Sequence, residues 1–294
     1  MKKLACALVF CSLLLAGCGR SQSEIQDQNE TLMTIGDTTY TKGDEYELIK
    51  NSEGTDLLIS LALTKIYDTE IGRTDEIEQE AQEQYDELAE ANENFEDQLK
   101  AAGYEDGQQY IDNILIPSIQ SQKLTEKYFE INETAIKEEY KPSIAEIIQC
   151  DDEETAQKAL DAIKDGTSVE DAAEKYASET ASFTGSEQVV TTLNTTLPTR
   201  LINSLFDATE DGVIDEVFVN DDETSYYVAV LVSNDYSENI SEYVTSLSSN
   251  SDLAKEVVIY YLSEYSFEVH DQYLFDQLKL NNPEYLVTRP DLSE

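Results

Sequence analysis

The sequence predicts an α+β protein: a mostly helical module built from the N- and C-terminal segments, with one α+β domain inserted between them. Two observations carry this. Apolar residues recur at helical spacing from residue 57 to 130 and again from 253 to 280. At Lys141-Pro142 the character changes, and about 90 residues then read β-α-α-β-α-β-β.

The elements follow in order. Leu32-Met33-Thr34-Ile35, Gly36-Asp37 and Thr38-Thr39-Tyr40-Thr41 read as a small hairpin, because two short apolar-polar runs flank a turn dipeptide. Lys42 to Lys50 begins a helix, and Leu57, Leu58, Leu61 and Ile66 continue a buried one to about Glu70. Residues 74–91 form an acidic helix with a thin stripe of Ile77, Ala81, Tyr85 and Leu88. A short helix runs from Asn94-Phe95 to Ala102, stopped by Gly103. Asp106 to Glu130 is a long helix, with a bend expected at Pro117.

Ser143 to Cys150 is strand-like. Asp152 to Lys164 is a helix closed by Asp165-Gly166, and Ser168 caps another to about Ala177. Residues 178–188 read as a Ser/Thr/Gly-rich loop, and Val189 to Leu193 as a polar strand or loop. Pro198 opens a helix to about Asp207. Strands at Val213 to Val219 and Tyr226 to Val232 flank Asn220-Asp221-Asp222-Glu223. After a polar stretch from Asp235, helices return at Leu253 to Tyr265 and Asp271 to Leu280, with Ser266 to Val269 extended between them.

The first eighteen residues form a separate signal. Lys2 and Lys3 precede an apolar run from Leu4 to Leu15, too short to span a bilayer, and Leu15-Ala16-Gly17 leads to Cys18. This resembles a bacterial lipoprotein lipobox. The resemblance implies removal of residues 1–17, diacylation of Cys18 and a membrane anchor at the extracytoplasmic face. An ordinary secretory signal with a chance cysteine is the alternative. Residues 18–31 read as a flexible linker.

Composition narrows the function classes. Without Lys2 and Lys3 the 19 basic residues fall to 17 against 62 acidic ones, a formal charge of −45. Such a surface excludes nucleic acid as a partner, since phosphate binding needs basic patches. The charge serves either solubility or attraction of basic partners. Of the four cysteines, Cys6 and Cys11 lie in the signal and Cys18 takes lipid; Cys150 alone remains, so no internal disulfide is expected. The single histidine is His270, read as a helix-start residue or, without a second ligand at useful spacing, a poor metal site. Cys150 reads as a core residue rather than a reactive thiol. With no phosphate loop, cofactor fingerprint or nucleophile-base pair, no cofactor and no metal are expected.

The order of elements resembles the PrsA-like foldase lipoproteins, with related organisation in SurA-type chaperones. The matching pieces are Ile35-Gly36-Asp37 with Thr41-Lys42-Gly43-Asp44, Phe95 to Gly103, and Phe267 to Asp271. The central unit resembles a parvulin domain through Asp152 to Ala156, Ile163 to Tyr176 and Leu205-Phe206. The resemblance implies a chaperone part over 32–140, completed by 235–294, around a parvulin-like domain at 141–234. It implies unfolded or partly folded exported proteins as partners and leaves a homodimer open.

Parvulins isomerise the bond before proline, which is slow uncatalysed because the amide barrier is ~18–20 kcal/mol. The family uses two histidines and an apolar Met/Phe pocket. Here the histidine positions fall on Glu146 and Tyr227, the pocket positions on Thr196 and Arg200, and an acidic position on Glu179. The expectation is therefore a catalytically silent parvulin unit in a chaperone. An active isomerase with unusual residues and a dedicated surface assembly protein are the rival readings.

Overall fold

The structure, a computed structural model, describes residues 25–288. Cys18 and the signal lie outside the described residues. The described residues divide into two compact units: those up to 63 with those from 259 onward, and residues 64–258.

The first unit begins with strands β1 (Thr31–Ile35) and β2 (Thr38–Thr41), paired antiparallel with Ile35 opposite Thr38. Gly36 at φ +60° supplies the positive angle that a two-residue hairpin turn requires. Helix α1 (Lys42–Glu70) follows directly and runs unbroken through Gly54, but Leu57 and Leu61, expected on its buried side, are exposed. The Asp44 carboxylate accepts from the Thr41 N–H at 2.8 Å and its hydroxyl at 2.9 Å, and these bonds hold its pKa below the usual carboxylate value. The other segment of this unit contributes Val269, Phe275, Leu278 and Leu286, buried with Leu58 and Ile59 of α1. The Lys50 side chain is 3 % exposed, with Glu47 at 2.9 Å and Asp271 at 3.9 Å.

The second unit holds α2 (Asp75–Ala91), α3 (Phe95–Ala101), α4 (Gly107–Tyr110), a π-helical turn (Ile111–Leu115), α5 (Ile116–Ile131) and α6 (Glu133–Tyr140). Ile77 and Ala81 of α2 bury against Ile111, Leu115, Ile116 and Ile119. The expected irregularity at Pro117 takes the form of the π turn just before it: proline offers no N–H to the preceding turn, and Ile116 N–H bonds Ile111 O, five residues back. Sequence periodicity missed α6, whose end is fixed by Lys141 in the left-handed conformation at φ +45°.

Then come β3 (Ser143–Cys150), α7 (Glu153–Lys164), α8 (Val169–Tyr176), β4 (Thr184–Val190), α9 (Thr199–Asp207), β5 (Gly212–Val213), β6 (Phe218–Val219) and β7 (Tyr226–Ser233). The sheet order is β4-β3-β7-β5, all antiparallel, with β6 also on β7. Side chains alternate across β3. Ala145 and Ile147 join a core with α9, whereas Ile148 and Cys150 join one with α7 and α8. Residues 184–188, expected in a loop, belong to β4. Gly185 makes this strand fit: at φ +83° its missing Cβ would sit 2.9 Å from Ala173 Cβ and 3.1 Å from Val169 O. The Asn234 side-chain amide lies 2.8–3.2 Å from the carbonyls of Leu205, Phe206 and Ala208, satisfying the end of α9.

Helices α10 (Ile240–Leu247) and α11 (Ser251–Glu264) follow, and α12 (Gln272–Asn281) lies in the first unit. The stretch from Asp235, which reads as polar, contains α10, and its Tyr243, Val244 and Leu247 are buried. Tyr128 donates to Glu256 at 2.8 Å, and Tyr236 donates to the Phe129 carbonyl at 3.1 Å. Burial pushes the Tyr140 and Tyr243 hydroxyls up to about 12.

Candidate functional site: a polar cleft on the central sheet

The sheet of the second unit carries a cleft of about 470 Å³ on its α9 face. β3 contributes Gln149, β7 contributes Tyr227 with Ser225 just before it, and the segment before α9 contributes Thr195, Thr196, Leu197 and Pro198, with Thr199 in its first turn. Ser182 and Phe183 form another wall, and the β6–β7 turn supplies Asn220, Asp221 and Asp222.

The local interactions fix this arrangement. Tyr227 is 2 % exposed and its hydroxyl donates to Thr196 O at 3.3 Å. Its ring meets the buried Phe183 ring edge to face, with centroids 6.0 Å apart. Gln149 lies opposite Tyr227 in the β3–β7 register. Its Nε2 donates to Ser225 Oγ at 3.1 Å and its Oε1 accepts from Ser182 N at 2.9 Å. Its backbone holds the same loop, donating to Phe183 O at 2.9 Å and accepting from Ser178 N at 2.8 Å. Asn220 Oδ1 accepts from Thr224 N at 2.9 Å and Ser225 N at 3.0 Å, presenting Asp221 and Asp222 at the exposed turn.

The residues singled out from sequence separate. Tyr227 and Thr196 meet in the cleft. Glu146 stands on the opposite face: it pairs with Val230, which packs on the α7/α8 core, and one residue along a strand reverses the face. The β3 residues on the Tyr227 face are Ala145, Ile147 and Gln149. Desolvation, then the facing Glu187, raises the Glu146 carboxyl above its ordinary pKa. Arg200 lies outside the lining, 76 % exposed, with Glu216 at 2.7 Å. One step earlier on α9, Thr199 lines the cleft instead. Glu179 is exposed in the loop after α8, outside the lining.

Sequence reasoning missed Gln149. The available signal was a polar side chain in the apolar strand Ile144 to Cys150, on the alternation shared with Ala145 and Ile147.

Elsewhere, the His270 side chain is 72 % exposed, 3.8 Å from Glu268, in the other unit. Cys150 is 1 % exposed and burial pushes its thiol up to about 11. Among the described residues no group of three or more His, Cys, Asp or Glu could hold a metal ion.

No family model matches the chain. Foldase protein PrsA 1 of Listeria innocua is 29% identical over 195 residues, covering 63% of this chain and 60% of that protein. Foldase protein PrsA 2 of Bacillus anthracis is 27% identical over 175 residues, covering 58% and 56%. The chain is PrsA-like in sequence. Its matches span about 60% of the length of these PrsA relatives. Two solved PrsA structures are similar at 19% identity. The peptidylprolyl isomerase PrsA of Bacillus cereus has a TM-score of 0.47, covering 86% of this chain and 98% of that one. The foldase PrsA of Streptococcus pneumoniae has a TM-score of 0.44, covering 87% and 100%.

Proposed function

We propose that the chain is a lipid-anchored extracytoplasmic foldase that binds incompletely folded exported proteins, with a parvulin-like unit that has lost isomerase chemistry. The observation that carries the foldase reading is the sequence similarity to PrsA foldases over 195 residues. The domain scheme of 32–140 with 235–294 around 141–234 enters as part of this proposal.

The cleft supports catalytic silence on chemical grounds. Twisting a prolyl amide requires an apolar wall for the ring and polar groups aimed at the amide. Thr195, Thr196 and Thr199 stand where α9 begins, and the Tyr227 hydroxyl already donates to Thr196 O. No histidine lines the cleft. Binding then falls to exposed apolar side chains, including Met33, Ile35 and Tyr40 of the hairpin and Leu57 and Leu61 of α1.

Lipid on Cys18 is the proposed anchor. No helix among the described residues is long and apolar enough to cross a membrane. Cys18→Ala is expected to move the protein from the membrane fraction to the soluble one; retention there would remove the anchor from the reading.

The test of function is suppression of aggregation. The chain without residues 1–18 should keep denatured exported proteins soluble at near-stoichiometric ratios and leave the isomerisation of a proline peptide at its buffer rate. No suppression across several clients refutes the foldase reading. A proline-peptide rate above buffer, lost in Tyr227→Phe, establishes the isomerase instead.

A further inference from the structure

We propose that, in the anchored protein, the apolar face of the β1–β2 hairpin rests on the lipid bilayer whenever no client occupies it; this rests on the lipid anchor at Cys18 and names a second membrane contact made beside it.

The register of β1 with β2 sorts the hairpin's side chains. Met33 lies opposite Tyr40 and Ile35 opposite Thr38, so these four share one face, while Thr34 and Thr39 share the other. On the first face Met33 is 52 % exposed, Ile35 64 % and Tyr40 41 %. Among the described residues no third strand joins the hairpin. Its only charged side chain is Asp37, in the turn, although the chain has 62 acidic residues. An apolar face left open to this degree marks an interaction surface. Met and Ile side chains with a tyrosine at their edge suit the boundary between lipid tails and water, where an aromatic ring keeps its hydroxyl in the polar layer.

The position of the anchor selects the bilayer as the occupant. Seven residue steps separate Cys18 from Ile25, a reach of at most about 25 Å. Soon after Ile25 the chain is tied to the base of the hairpin: the Gly43 N–H donates to Gln28 O at 2.8 Å and the Lys42 N–H to Glu30 O at 2.9 Å. A lipid on Cys18 therefore leashes the hairpin to the membrane surface, and a short leash makes the contact intramolecular, at an effective concentration of about millimolar. A few apolar side chains then suffice to hold it. A second copy of the chain fits this face poorly. Stable interfaces take about 20–30 residues a side, far more than the three apolar side chains here. Two such acidic chains also repel each other.

The chain contains no tryptophan, so one introduced on the hairpin reports alone. The full chain carrying Ile35→Trp is extracted from membranes in detergent and reconstituted into phosphatidylcholine vesicles with or without bromine on the acyl chains. Bromine quenches tryptophan only where the ring reaches the hydrocarbon. Ile35→Trp should lose most of its fluorescence in the brominated vesicles. Leu88→Trp, at an exposed position among the carboxylates of α2, should keep it. Adding Met33→Ser and Tyr40→Ser to Ile35→Trp should abolish the loss while the chain still floats with the vesicles in a density gradient. Flotation separates the two failures. A chain that floats without quenching at Ile35→Trp, or with equal quenching at Leu88→Trp, overturns the hairpin contact and leaves the anchor standing. A chain that does not float overturns the anchor and the contact with it.

Discussion

Gly185→Ala isolates the contact that places strand β4 against helix α8. Two costs combine at this residue. An alanine at φ +83° leaves the favoured backbone regions, at roughly 1–2 kcal/mol. Its Cβ would also meet Ala173 Cβ at 2.9 Å and the Val169 carbonyl at 3.1 Å, neither being the far end of a flexible side chain. Overpacking of this kind costs about 1–3 kcal/mol, for a total of about 2–5 kcal/mol. Gly166→Ala separates the two terms. Gly166 has φ +96° but nothing within 4 Å of its Cβ position, so it carries the conformational cost alone. The reduced unfolded-state entropy of alanine offsets both variants similarly. Urea unfolding, followed by hydrogen exchange in peptides from residues 143–233, should place Gly185→Ala below Gly166→Ala by about 1–3 kcal/mol. Equal destabilisation would refute the close approach of β4 to α8 and the strand assignment that rests on it.

Three other outcomes follow from local chemistry. Glu146→Gln should stabilise the sheet at neutral pH: a carboxyl whose folded pKa is raised favours the folded state only when protonated, so its ionisation penalty develops as pH rises through that raised value. In a pH series of urea midpoints, the advantage of this amide variant should vanish below the ordinary carboxylate value of 4.5, and a pH-independent difference would contradict the assignment. Native Cys150 should resist a water-soluble thiol reagent at pH 8 and react on unfolding, because it is 1 % exposed and its thiol lies up at about 11; prompt native labelling would contradict its burial. Asn234→Ala should destabilise by about 1–3 kcal/mol in thermal unfolding, since it leaves α9 carbonyls without their side-chain donor, and a neutral result would refute that role.

Much of the fold was legible locally. Ser168 and Asp152 were readable as starts of helices, and their side chains accept from Asp171 N and Thr155 N at 3.1 and 2.8 Å. Helices α6 and α10 were not: they are as short as α8 but have no side-chain cap, and their order comes from packing of Ile136, Tyr140, Tyr243 and Val244. The N-terminal half of β4 was hidden for another reason. Thr184-Gly185-Ser186-Glu187 has turn composition, and only the approach of α8 and pairing with β3 make it a strand.

The candidate site divides similarly. Sequence by itself determined what chemistry was absent: with His270 alone, no arrangement of the central unit could bring two imidazoles together. It also determined the acidic balance and the lipobox-like run ending at Cys18. Tertiary structure decided which residues share a face. A strand reverses its side chains every residue and a helix turns them by about 100°, so an error of one position replaces Glu146 with Ala145 and Arg200 with Thr199. The cleft of Tyr227, Thr196 and Gln149 therefore depended on the register of β3 with β7, which residues more than 70 positions apart establish only when the sheet has formed.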